Sequence, residues 1–168
     1  EIMITALVLA AGQSKRMGQP KMLLPWGKTT VLEQVLATLK QANILEIVVV
    51  TGAARIEVEK TSAAFETLVT HNPDYDNDQM LLSLQIGLRT VREKTFAEAA
   101  LICLGDQPQV QEGSVRAVAR RFIETEASLI VPSETGTADK ESSRRARRER
   151  HAQRQAATGR GDQPIQIA

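Results

Sequence analysis

The sequence predicts an α/β fold with a mostly parallel sheet between two layers of helices. Short runs of Ile, Leu, Val and Ala that do not alternate with polar residues recur along residues 1–132, as is typical of strands buried on both faces. Segments with apolar residues at helical spacing separate these runs. The alternation of the two patterns indicates a three-layer, Rossmann-like arrangement.

The first part of the chain predicts two strands and two helices. The apolar run from Met3 to Ala10 predicts the first strand, and "TTVLEQVLATLKQA" predicts the first helix. Thr30 and Glu33 have the spacing of a capping box, in which the hydroxyl and the carboxylate each satisfy an otherwise unpaired backbone amide. The stretches "ILEIVVVT" and "RIEVEKTSAAF" predict the second strand and the second helix.

The same alternation continues to Pro132. We expect "TLVT" to form the third strand and "DQMLLSLQIGLRTVRE" to form a helix that Asp76, Asn77 or Asp78 caps. We expect "AALICLGD" to form the fourth strand and "GSVRAVARRFIETE" to form a helix with Val115, Val118 and Phe122 on one face. The apolar stretch "SLIVP" then predicts a fifth strand.

Composition divides the chain into an α/β domain at residues 1–132 and a polar, Arg-rich tail at residues 133–168. The first segment has a net charge of −2 and the second a net charge of +3. The tail holds almost no large apolar residue before Ile165, so it cannot bury enough surface to fold alone. Three interpretations stay open: a disordered basic tail, a solvated helix, or a non-native end such as a frameshift or truncation of the fold.

The bulk composition excludes several classes of protein. A net charge of +1 does not favour a nucleic-acid or membrane partner, and no apolar stretch has the roughly 20 residues of a membrane span. The single cysteine, Cys103, excludes an intrachain disulfide and fits a reducing cytoplasm. We find no signal-peptide pattern, and we therefore expect a cytoplasmic protein.

A loop with the sequence "LAAGQSKRMGQPK" follows the first strand and predicts a phosphate site. Its spacing fits neither the P-loop nor the dinucleotide-binding glycine motif. The small residues Ala10, Ala11 and Gly12 let backbone amides approach a ligand closely. Arg16 and Lys21 can neutralise phosphates, although a tight turn with solvated charges remains the alternative.

Asp106 in "ICLGDQP" indicates what such a loop binds. It follows a predicted strand, and the carboxyl ends of parallel strands meet at the edge of the sheet where ligands bind. A carboxylate that faces a triphosphate is repelled unless a cation lies between them, and Mg²⁺ takes one or two carboxylates together with phosphate oxygens. The alternative is a turn or capping aspartate.

Three further residues are candidates for the base or ribose. Thr51 and Gly52 end the second strand, and Ser83 lies early in a helix. The alternatives are a turn glycine and a plain polar helix residue. We include Leu9, next to the small residues of the loop, among the nucleotide-binding candidates.

The motifs "LVLAAGQSKRMGQPKMLLPWGKTTVLEQVL", "NPDYDNDQMLLSLQIGL" and "LICLGDQPQV" resemble those of the MobA-like nucleotidyltransferases over about residues 3–132. They are most similar to those of molybdenum cofactor cytidylyltransferases and of accessory proteins of xanthine dehydrogenase-type enzymes. The resemblance implies a nucleotide-diphospho-sugar transferase fold. It also implies transfer of CMP from CTP to the phosphate of molybdopterin, with release of pyrophosphate.

The resemblance assigns roles to the candidate residues. Ala10–Gly12 would hold the nucleotide, Arg16 and Lys21 its phosphates, and Asp106 a Mg²⁺ ion. Ala11, in "LAAG" rather than "LAGG", is similar to the branch that uses CTP. A molybdenum hydroxylase apoenzyme is an expected partner.

The sequence also departs from the family pattern. The family's "GHP"-type segment and its late metal-binding aspartate are not recognisable after "VPS", and "DND" replaces a glycine before the helix near Gln79. Two alternatives therefore stay open: a sugar-phosphate nucleotidyltransferase, and a catalytically impaired nucleotide-binding accessory protein.

Overall fold

A computed structural model describes residues 2–13, 18–77, 80–125 and 127–132, together with the backbone of residues 166–167. The predicted tail at residues 133–168 therefore lies, apart from two residues, outside the described part of the chain. Among the described residues, none of the helices combines the length and the apolar character that a membrane span requires.

A five-stranded sheet forms the centre of the fold. Its strands lie in the order β5-β4-β1-β6-β7, and every pair of neighbours is parallel, as the sequence predicts. A separate antiparallel hairpin of two short strands, β2 and β3, follows the first loop. The strands are β1 (Ile4–Ala10), β2 (Pro25–Trp26), β3 (Thr29–Thr30), β4 (Ile47–Thr51), β5 (Leu68–His71), β6 (Ala99–Leu104) and β7 (Gln166–Ile167).

In the described part of the chain, four α-helices connect the strands at the predicted places. They are α1 (Val31–Gln41), α2 (Arg55–Ala64), α3 (Met80–Lys94) and α4 (Glu112–Thr125). The capping box of α1 is present: the Glu33 carboxylate accepts from the Thr30 amide at 2.6 Å, and the Thr30 hydroxyl accepts from the Glu33 amide at 3.3 Å. Asp78 lies outside the described residues, while Asp76 and Asn77 belong to a short 3-10 turn before α3.

The core lies on both faces of the sheet, which confirms the three-layer α/β prediction. On one face, side chains of α1, α2 and α4 pack against β1, β4 and β6, and Val8 and Val49 at the centre are fully buried. On the other face, α3 packs against Leu7 and Val50. The alternation of β1 residues between the two packed layers explains its unbroken apolar sequence.

Gly87 lets α3 approach the sheet closely. A Cβ atom at this position would lie 2.4 Å from Leu7 Cδ1 and 2.9 Å from Val50 Cγ2. Any larger residue would therefore push the helix away from β1 and β4.

The predicted fifth strand at "SLIVP" is wrong. Residues 127–132 form no strand, and Leu129 and Val131 are largely exposed. Instead β7 pairs with β6, with Gln166 opposite Ala99 and Ile167 opposite Ala100. Ile130 still packs with Phe122, so this segment covers part of the core without joining the sheet.

Candidate functional site

A cleft of about 270 Å³ opens at the carboxyl edge of the sheet, where ligands bind in folds of this type. Loops after three parallel strands and the first turns of α3 form its walls. The residues that line it are Leu9, Ala11, Gly12, Met22, Asn72, Tyr75, Met80, Ser83, Leu104 and Asp106.

The pairing of the strands places four residues in one row at this edge. Ala10 pairs with Thr51 and Thr51 with His71, so the residues that follow them, Ala11, Gly52 and Asn72, lie at the same level. Leu9 pairs with Leu104, which brings Asp106 to the level of Ala11. We call these four residues, Ala11, Gly52, Asn72 and Asp106, the edge row.

The first wall of the cleft is the loop after β1. Ala11 is nearly buried and Gly12 is exposed. The loop rests on Gly52, where a Cβ atom would lie 2.2 Å from the carbonyl oxygen of Ala11. Only glycine permits this contact between the two loops, which holds the start of the first loop against the end of β4.

The second wall is organised around Asn72, which is 1% exposed. Its backbone amide donates to the Thr51 carbonyl at 2.9 Å, and its side-chain Nδ2 donates to Ser83 Oγ at 2.9 Å. Its Oδ1 accepts from the backbone amide of Asp74 at 2.9 Å. Asn72 therefore ties β4, α3 and the turn at Tyr75–Asn77 together.

Asp106 supplies a carboxylate to the cleft. The preceding Gly105 amide donates to the Leu9 carbonyl at 2.9 Å, and the following Gln107 amide donates to the Leu104 carbonyl at 3.3 Å. These bonds fix the backbone on both sides of Asp106. Within the described ranges, no group of three or more His, Cys, Asp or Glu side chains could hold a metal ion on protein ligands alone.

The structure brings five of the candidate residues together: Leu9, Ala11, Gly12, Ser83 and Asp106 all line the cleft. The others lie elsewhere or next to it. Ala10 belongs to the core, and the hydroxyl of the fully buried Thr51 is 2.9 Å from His71 Nδ1.

The structure describes one of the two candidate cations, Lys21, and not the other, Arg16. Lys21 begins a short 3-10 turn whose next residue, Met22, lines the cleft. Arg16 lies outside the described residues, so its role stays a prediction.

Sequence reasoning missed the residues of the second wall other than Ser83, above all Asn72 and Tyr75. A signal was present, because Asn72 lies two residues beyond the predicted strand "TLVT" and opens the motif "NPDYDND". A polar residue at that position belongs to the same edge of the sheet as Asp106.

A larger groove of about 550 Å³ lies along β6 between α1 and α4. The described residues that line it include no charged side chain, and most are apolar, such as Val35, Leu101 and Val118. Burial raises the pKa of the Cys103 thiol in this groove to about 12, so the thiol is protonated at neutral pH and is a poor nucleophile. The groove is therefore an apolar surface, and the described candidate residues with polar side chains lie in or next to the cleft instead.

Comparison with known proteins identifies relatives of this chain. A sequence profile of the MobA-like NTP transferase domain matches residues 6–164. The chain is 33% identical over 106 residues to the molybdenum cofactor cytidylyltransferase of Escherichia coli (strain K12), which is 62% of this chain and 52% of that protein. It is 53% identical over 45 residues to a molybdenum cofactor guanylyltransferase of Xanthomonas euvesicatoria pv. vesicatoria, which is 27% of this chain and 24% of that protein.

A solved structure confirms the fold. A nucleotidyl transferase from Methanothermobacter thermautotrophicus superposes with a TM-score of 0.62 at 32% identity, over 70% of this chain and 57% of that chain. The architecture is the nucleotide-diphospho-sugar transferase fold that the motifs implied. The chain spans about half the length of the Escherichia coli relative.

Proposed function

The chain belongs to the MobA-like NTP transferase family, and on this premise we propose that it transfers CMP from CTP to the phosphate of molybdopterin. The observation that carries the proposal is the edge row. It combines a close-packed glycine loop, a buried amide and a carboxylate in one cleft. The Escherichia coli and Xanthomonas relatives are a molybdenum cofactor cytidylyltransferase and a molybdenum cofactor guanylyltransferase, which supports the same acceptor here.

The reaction needs little acid–base chemistry. An oxygen of the acceptor phosphate forms a bond to the α-phosphorus of the nucleotide. The bond from that phosphorus to the oxygen bridging to the β-phosphate breaks, and the electron pair leaves with pyrophosphate. Because the attacking oxygen is already anionic, the protein has to position the reactants and neutralise charge rather than move a proton.

In this proposal the two walls of the cleft have different roles. The backbone amides after Ala11 can approach the phosphates, because Gly12 carries no side chain that would block them. Lys21 would neutralise phosphate charge from the 3-10 turn next to the cleft, and Arg16 would do so from the loop. Ser83 and the Asn72 amide lie on the opposite wall, where they would face the base or the ribose.

The donor set of the cleft fits a magnesium ion that arrives with the nucleotide. Mg²⁺ prefers oxygen ligands and is bound through one or two carboxylates together with phosphates and waters. Asp106 presents one such carboxylate across from the phosphate loop. The ion would offset the charge that develops on the leaving pyrophosphate.

Ala11 supports CTP as the donor. It stands in the "LAAG" form of the motif, which resembles the branch that uses CTP, and it lines the cleft next to its backbone contact with Gly52. Guanylyltransferase relatives make GTP the competing donor. A molybdenum hydroxylase apoenzyme would receive the product, which the motif resemblance alone suggests.

The proposal is tested by calorimetric titration of CTP, GTP, ATP and UTP into the protein, with and without Mg²⁺. Asp106→Asn is the matched variant, because it keeps the size of the side chain and removes the charge. We expect CTP to bind most tightly and to lose affinity when Mg²⁺ is omitted or Asp106 is changed. Pyrophosphate release with CTP and molybdopterin then tests turnover, and binding without release would identify an impaired accessory protein.

A further inference from the structure

One hydrogen bond joins the loops that form the two walls of the cleft. Gln13 Nε2 donates to the Asp76 carboxylate, although the two residues are 63 positions apart in the chain. Gln13 directly follows Gly12 on the first wall, and Asp76 directly follows Tyr75 on the second wall. We call this contact between Gln13 and Asp76 the strap.

The second wall gives the strap a fixed anchor. Asp76 belongs to the 3-10 turn Tyr75–Asn77, in which the Asn77 amide donates to the Asp74 carbonyl at 3.1 Å. The Asp74 amide in turn donates to the side chain of Asn72, which is held by β4 and α3. These hydrogen bonds therefore tie the turn that carries Asp76 to β4 and α3.

The first wall needs such an anchor. Beyond the contact of Ala11 with Gly52, the loop continues through Gly12, which has no side chain, and a Cβ atom there would meet nothing within 4 Å. Side-chain packing at Gly12 therefore does not fix the loop where it lines the cleft. Gln13, the next residue, is half-buried and makes the strap.

We infer that Gln13 and Asp76 are positioning residues for a nucleoside triphosphate, an inference that rests on the proposed function. The strap holds the amides of the first loop at a constant distance from the second wall. A cleft that is already ordered loses less conformational entropy when the nucleotide binds, which favours binding.

The test is a double-mutant cycle on nucleotide affinity with the variants Gln13→Ala, Asp76→Ala and both together. Each single substitution is expected to raise the Kd for MgCTP by about threefold to tenfold, the range expected for one hydrogen bond. The double variant should be no weaker than the weaker single variant. Asp76→Asn keeps the acceptor oxygen and should restore most of the affinity. Effects that simply add, or an unchanged Kd, would overturn the inference.

Two further readouts separate positioning from a general structural effect. In steady-state kinetics the strap variants should raise KM for the nucleotide and leave kcat within about twofold, because neither residue touches the reacting atoms in this assignment. Gln85→Ala, an exposed glutamine of α3 outside the cleft, is the matched control and should change neither value. A fall in kcat with an unchanged KM would contradict a positioning role.

Amide hydrogen exchange without nucleotide distinguishes failure of the strap from failure of the proposed function. The amides of residues 12–13 should exchange faster in Gln13→Ala and in Asp76→Ala than in the wild type. If the wild type binds none of the four nucleotides, the proposed function fails, while faster exchange would still show that the strap orders the loop. Unchanged exchange in both variants would overturn the inference.

Discussion

The side-chain amide of Asn72 donates a hydrogen bond to Ser83 Oγ across 2.9 Å, joining the end of β5 to the second turn of α3. Both side chains are buried, at 1% and 5% exposure, in the wall of a cleft that is otherwise open to solvent. A buried amide is costly without partners, so this pair is a structural tie within the wall of the cleft.

Ser83→Ala should destabilise the fold by about 1 to 3 kcal/mol, because it leaves one amide hydrogen of Asn72 without its acceptor. Urea denaturation measures this loss. Ser114→Ala, an exposed serine of α4, is the control and should change stability by less than about 0.5 kcal/mol. Equal stability of the Ser83 variant and the wild type would show that another group, or water, replaces the acceptor.

Ala11→Gly should shift donor preference from CTP towards GTP by about tenfold, since one methyl group in a fitted pocket is worth about that much in discrimination. Competition between the two nucleotides for the wild type and for the variant gives the ratio directly. Ala53→Gly makes the same change at an exposed position in the neighbouring loop, and it should leave the ratio unchanged. A ratio that does not move in the Ala11 variant would exclude this residue as the determinant.

Gly87→Ala should destabilise the protein by about 1 to 3 kcal/mol, because the new methyl group would overlap the side chains of Leu7 and Val50. Thermal unfolding monitored by circular dichroism measures the effect. Gly113→Ala, in α4, has open space at its Cβ position and should be neutral or stabilising by up to about 1 kcal/mol. A stabilising effect at both positions would mean that α3 can move away from the sheet freely.

The Cys103 thiol should react slowly in the folded protein. Its pKa is raised by burial to about 12 from an ordinary value of 9.0, so at pH 8 alkylation by iodoacetamide should be more than tenfold slower than in urea. Between about pH 9 and pH 12 the folded chain retains a proton that the unfolded chain has lost, so stability should fall as the pH rises through this range. Cys103→Ser should remove the alkylation signal, and a folded rate equal to the unfolded rate would contradict the burial of the thiol.

The parts of the fold that depend on local pattern could be predicted from the sequence. Continuous apolar runs identified β1, β4 and β6, and the spacing of Thr30 and Glu33 identified the start of α1. The stretch "SLIVP" has the same apolar character, yet Leu129 and Val131 are exposed. A strand also needs a free edge to pair with. The apolar pattern does not specify that partner, and β7 pairs with β6 instead.

The candidate site was likewise predictable only in part. Gly12 and Asp106 were predictable because each follows a recognisable strand and carries a residue type with clear chemistry. Asn72 could not be ranked from the sequence, since its role comes from bonds to Thr51 and Ser83 that form only when β4, β5 and α3 are assembled. The strap was even harder to predict from the sequence, because its two residues are 63 positions apart.

The edge row suggests how enzymes of this architecture could acquire new substrates. Its positions are set by the pairing of the strands, which depends on backbone hydrogen bonds and on the alternation of core side chains, not on which residues follow the strands. Substitutions at Ala11 or Asp106 can therefore change the ligand while the scaffold stays intact, whereas Gly52 and Asn72 are held in place by packing and by hydrogen bonds. A one-residue insertion inside β1 would instead move the side chains on one side of it to the other face of the sheet. Leu7 or Val8 would then leave its packed layer, and the core and the site would be lost together. Under selection for a new donor or acceptor, substitutions and changes of loop length should therefore accumulate beyond the ends of the strands.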